Sequence, residues 1–196
     1  MTIKLVGSTN GSTSLDAPAS TTGGADLSFT LPNATTGGIV RTTTTPGAIL
    51  QVVSSHKSDT ASTTSNSFTD TGLSVSITPS STSNKILVLT DAKFGGSSGN
   101  LWHVRLMRDS TAISIGDASG SRVRGLYEAD GTGHTISVFT VGSAFLDSPS
   151  STSALAYKLQ YSSYDSNTVY LNRTGDDRDP NDVRTGSSIT VMEVAG

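Results

Sequence analysis

"GLSVSITPSSTSNKILVLTDAKF", residues 72–94, decides how the rest of the chain is read. Leu73, Val75 and Ile77 alternate with small polar residues, a run of turn formers follows at 78–84, and a second run rich in Ile, Leu and Val occupies 85–94. A period of two with β-branched residues marks strands that bury one face, and Pro, Ser and Asn between them mark the turn. The same pattern recurs outward in both directions, in "TIKLV" (Ile3, Leu5), "LSFTL" (Leu27, Phe29, Leu31) and "SITVMEV" (Ile189, Val191, with an opposite phase open at its end). No window carries a helical stripe.

From Ile49 onward about nine strands are expected, near 49–55, 73–78, 85–94, 101–107, 111–116, 134–146, 154–162, 168–173 and 187–194, a number that suits a double-sheet sandwich. Loops of hairpin length favour a jelly-roll-like antiparallel β-sandwich over an immunoglobulin-like one. "GGSSG" (95–99) reads as a hairpin loop, and "GDDRDPND" (175–182) as a solvated hairpin turn. The first 45 residues differ: their strands are shorter, their spacers longer, and "TTGGIVRTTTTPG" (35–47) resembles a linker. The expected organisation is therefore an extended β arm over 1–45 and a sandwich over 46–196. Isolated short strands are marginal in water, so the arm needs either the main domain or other copies of itself.

Composition narrows the function. Charged residues make up 15% of the chain and apolar ones 34%, with Ser and Thr together about a third. A net charge of -3 and a pI near 5.5 leave no basic footprint for nucleic acid. Absence of cysteine removes disulfides and thiolate metal sites. "MTIKLVGSTN" is too short in apolar residues for a signal peptide, and nothing approaches a membrane span, so synthesis in a cytoplasm without membrane insertion is expected.

Chemistry-bearing residues are sparse. His56, His103 and His134 have no metal-ligand spacing, and Trp102, Val104 and Leu106 or Met107 should point inward with His103 and Arg105 on the other face. Asp177, Asp179 and Asn181 stand two apart, as the first oxygen ligands of a calcium loop do, but the turn Gly and terminal Glu of that loop are missing. The alternative is a hairpin turn balanced by Arg178 or Arg184. No Gly-x-Ser-x-Gly elbow, phosphate loop or dinucleotide fingerprint occurs, and Glu128 and Glu193 are the only glutamates, so no catalytic carboxylate pair can be named. No cofactor is expected. Tyr127 and Tyr164, beside Gly- and Asp-rich turns, are the candidates for stacking on sugar rings.

The stretches "IKLVGSTNGSTSLDAPAS" (3–20) and "LSFTLP" (27–32) resemble a repeat of tail-fibre and appendage proteins of tailed bacteriophages. Residues 47–95 are similar to a domain common in phages and phage-derived genes of aquatic bacteria, and matching pieces continue through 113–125, 145–161 and 169–195. The resemblance implies a non-enzymatic virion protein, made in the host bacterial cytoplasm and carried on the virion exterior as a homotrimer. Two placements stay open: a tail fibre or tip touching host surface glycans, and a capsid decoration (cement) protein. A glycan-degrading spike is the remote third. In a trimer, Leu15, Leu27, Phe29 and Leu31 would turn toward a shared axis, and the arm would reach other virion proteins. Family members carry many repeats; a single one precedes the body here, which favours decoration.

Overall fold

The computed structural model describes the backbone of residues 3–6 and 12–15 and, with side chains, residues 46–97, 99, 101–130 and 135–196. Leu27, Phe29, Leu31 and His134 lie outside the described residues, as does the side chain of Leu15. The chain divides into two compact units, Met1–Thr43 and Thr44–Gly196. In the first, β1 (Ile3–Val6) pairs antiparallel with β2 (Ser12–Leu15), Ile3 opposite Leu15.

The second unit is a sandwich of two antiparallel sheets, with no helix among the described residues. One sheet is built on β6 (Lys85–Gly96). Along one edge β6 holds β13 (Ser187–Val194) and then β12 (Val169–Leu171); along the other it holds β10 (Phe139–Asp147). Outside these lie β3 (Ile49–Lys57), on β13, and β4 (Ala61–Thr63), on β12. The second sheet runs β5 (Thr69–Ile77), β11 (Leu155–Ser163), β7 (Leu101–Arg108). The far edge of β7 is shared by β8 (Thr111–Ile113) and β9 (Tyr127–Asp130).

This order is that of a jelly roll. The first long strand neighbours the last (β3 with β13), the second the next to last (β5 with β11), and β6 neighbours β10, as if one long hairpin had been rolled up so that its halves alternate between sheets. The turn at 78–84 therefore joins strands of different sheets, and "GGSSG" likewise crosses from β6 to β7 rather than closing a hairpin. Gly95 is required where this crossing passes the 173–175 segment: a Cβ there would lie 2.3 Å from the Arg173 carbonyl oxygen.

Inward-facing residues of both sheets form one core, from Leu73, Val75 and Ile77 through Ile86, Val88 and Phe94 to Ile189 and Val191. Trp102 sits at its aromatic end, fully buried, with ring centroids of Phe94, Tyr127 and Phe139 at 5.5, 5.6 and 6.1 Å in tilted arrangements. Val104 and Leu106 share its inward phase. Met107 and His103, on the opposite phase, are buried too, so this strand is covered on both faces. No change of phase occurs in β13: Glu193 keeps the inward phase of Ile189 and Val191 and is 1% exposed.

Candidate binding surfaces

β9 runs antiparallel to β7, with His103 opposite Glu128 and Val104 opposite Tyr127. Before it, the segment at 123–126 lies against β7, where Leu126 N donates to the Val104 carbonyl at 2.8 Å. Gly125 permits this approach, since a Cβ there would come within 2.8 Å of the same oxygen. The result is an open cleft of about 200 Å³ lined by His103, Val123, Gly125, Leu126, Tyr127 and Glu128. An ionised carboxylate only accepts, so His103 Nε2 donates to Glu128 Oε2, at 3.1 Å. His103 is buried while the Glu128 side chain is 64% exposed, which turns the carboxylate outward and fixes its base. Tyr127 is half-buried, its ring against Trp102. The cleft offers the outward Glu128 carboxylate as an acceptor beside a half-buried tyrosine whose ring packs on Trp102.

Tyr164 lies just past β11 and is 63% exposed; its backbone N–H donates to the Leu101 carbonyl at 2.7 Å, so the backbone is held while the ring is free in water. It is the better placed of the two tyrosines for a surface contact. The outward face of the same sheet is polar and cross-linked. Asp70 accepts from Lys158 Nζ at 2.8 Å and from Gln160 Nε2 at 2.6 Å, and Gln160 Oε1 accepts from Arg105 Nε at 2.9 Å. The Lys158 ammonium, with Gln160, holds the Asp70 carboxyl below its ordinary range.

The acidic loop uses its carboxylates on arginines. Asp177 lies 3.3 Å from Arg173 Nη1 and 2.5 Å from Arg184 Nη2. Asp182 accepts from Arg178 Nη2 and from the Arg178 backbone N–H, each at 2.9 Å, and from Thr174 Oγ1 at 2.9 Å. The Arg178 guanidinium and backbone donors draw the Asp182 pKa down to about 2. Asp179 and Asn181 are exposed. Among the described residues no group of three or more His, Asp or Glu side chains is placed to hold a metal ion. With its carboxylate facing two guanidinium groups, Asp177 is occupied as an ion-pair partner.

No protein-family model and no curated protein sequence matches the chain. Among solved structures it is similar to a chain of T=1 particles derived from infectious bursal virus, with a TM-score of 0.41 and 14% identity over 97% of this chain and 44% of that one. The chain spans less than half the length of that one.

Three buried polar side chains tie separate elements of the sandwich together. Glu193 accepts from Ser80 N (2.6 Å), Ser80 Oγ (2.8 Å), Asn84 Nδ2 (2.6 Å) and Gln51 Nε2 (2.6 Å), which ties the 78–84 crossing to the last strand. Burial pushes its carboxyl up, but these donors outweigh burial and hold the pKa at about 2. Asp147, at the end of β10, accepts from Arg108 Nη1 with both oxygens at 2.8 Å and from the Tyr157 hydroxyl at 2.7 Å, joining the two sheets. Asn172 is fully buried and donates its amide to the Lys57 and Asp59 carbonyls at 2.8 and 2.9 Å. Sequence patterning offers one signal for such residues, a polar side chain on the inward phase of a strand, and Glu193 is the example.

Proposed function

We propose that this chain is a non-enzymatic virion protein, displayed on the exterior as a homotrimer, with the 46–196 sandwich outward and the 1–45 arm engaging other virion proteins. The observation that carries the reading is the jelly-roll strand order in a chain whose sequence resembles phage appendage proteins over nearly its whole length. Jelly rolls recur in capsid proteins and lectins, an analogy of fold rather than of site. The polar coat of Asp70, Lys158, Gln160 and Arg105 supports a sheet that faces water in the assembly. In the tail-fibre reading, exposed Tyr164 and the cleft at Tyr127 touch host surface glycans.

A capsid decoration protein is the second reading, resting on the jelly-roll strand order that recurs in viral capsid proteins. Labelling of intact virions with an antibody to the sandwich tests both. Label on tail appendages is expected; label spread over the head instead establishes decoration, and absence of label from virions refutes both placements.

A further inference from the structure

The outward face of the sheet built on β6 differs from its polar counterpart. Register sets Val52 opposite Met192, Met192 opposite Leu87, and Leu87 opposite Leu146, an apolar row across four strands. Alternation turns all four away from the core, because Val53, Val191, Ile86, Val88 and Phe145 hold the inward phase. Val52 is 55% and Leu146 46% exposed, with Ile49 (50%) and Leu50 (37%) beside the Val52 end. The neighbouring row, Ser54, Thr190, Leu89 and Ala144, is also uncharged. Charge appears only at the rim, at Lys85 and in the Asp91–Lys93 pair.

The row and its neighbours present on the order of 400 Å² of apolar surface, the scale of a functional patch and about half of what one partner gives a stable interface. Its two ends lie on opposite edges of one sheet, since β3 and β10 are the outermost strands beside β13 and β6. Rotation by a third of a turn about an axis running along the strands would bring the β3 end of one copy against the β10 end of the next, the head-to-tail contact of a closed ring of three. The row carries no charge, so a second copy buries it without stranding an unpaired ion.

We infer that the outward face of the β3–β13–β6–β10 sheet is the contact between copies of this chain, with Val52 of one copy packed near Leu146 of the next. The inference rests on the homotrimer reading above and assigns its surface.

The test uses the full chain, which has no cysteine of its own. Light scattering of the purified protein should give a multiple of the 20.1 kDa chain mass. Val52→Asp and Leu146→Asp should each reduce it to the monomer while Trp102 fluorescence still reports a folded core. The double variant Val52→Cys/Leu146→Cys should oxidise to covalent multimers. Within one chain those positions are three strand spacings, about 14 Å, apart, beyond disulfide reach. A control with Ser74→Cys, on the other sheet, should stay uncrosslinked. A monomeric wild type overturns both the face and the trimer. An oligomer that survives both Asp substitutions, or a double-Cys oligomer that does not crosslink, overturns the face and leaves the trimer reading standing. Virion labelling is independent of all three outcomes.

Discussion

Asn84 Nδ2, at the end of the crossing between β5 and β6, donates to Glu193 Oε1 on the last strand at 2.6 Å. The contact spans most of the folded unit in sequence and closes the roll at the point where its first and last turns meet. Glu193→Ala leaves the Ser80 N–H without its acceptor and takes one of two acceptors from each of the Asn84 and Gln51 amides, which keep Ser80 Oγ and the Thr78 carbonyl. It should cost about 3 kcal/mol or more, measured by urea denaturation.

The same carboxylate gives the protein an acid limit. Its folded pKa of about 2 lies below the ordinary 4.5, so its contribution is complete above about pH 4.5 and fades as pH falls toward 2. Asp182, drawn from 3.8 to about 2, acts in the same direction over a slightly lower window. Melting temperature should therefore fall between pH 4.5 and 2, and Glu193→Gln should flatten that fall; an unchanged slope in the variant would refute the assignment.

Tyr157 and Tyr161 should ionise well above the ordinary tyrosine range. Burial raises both, Tyr161 to about 12, and the hydrogen bond to Asp147 raises Tyr157 further. Alkaline titration followed by phenolate absorbance should show them titrating only as the sandwich unfolds. Tyr157→Phe leaves Asp147 with Arg108 alone and should cost about 1–3 kcal/mol.

Trp102 is the sole tryptophan, fully buried, and its indole N–H has no hydrogen-bond partner among the described residues. Its emission should be that of an apolar site and shift to the red on denaturation. Trp102→Ala should cost about 3–5 kcal/mol, and Trp102→Phe less, because the ring volume is partly kept and the unpaired donor is removed.

The two candidate glycan tyrosines should separate cleanly. Tyr164→Ala, at an exposed ring, should change stability by less than about 0.5 kcal/mol and weaken adhesion of the protein to host cells. Tyr127→Ala removes a ring that packs on Trp102 and should lower the melting temperature as well. Equal adhesion by Tyr164→Ala and wild type would exclude that ring from the contact.

Alternation in the sequence located the long strands because most of them bury one face, and a period of two survives even in a chain so rich in Ser and Thr. Ala61–Thr63 and Tyr127–Asp130 were beyond its reach: the first has no large apolar residue and the second carries two acidic ones, and each pairs along an edge, of β12 and of β7. Tyr127, read as a residue beside a turn, is for that reason a strand residue against the core. At the acidic loop, spacing presented three oxygen ligands; the fold brought Arg173 and Arg184 to Asp177 instead.

What the sequence by itself determined is where the long strands lie and the inward phase of most of them, since these follow from local periodicity and turn chemistry. Which strands pair was decided by the tertiary structure alone. A loop of hairpin length serves equally to turn within a sheet or to cross between sheets, and only the joint burial of Leu73, Ile86, Trp102 and Ile189 in one core selects the crossing. The same selection sends Val52, Met192, Leu87 and Leu146, four residues far apart in sequence, into one exposed row.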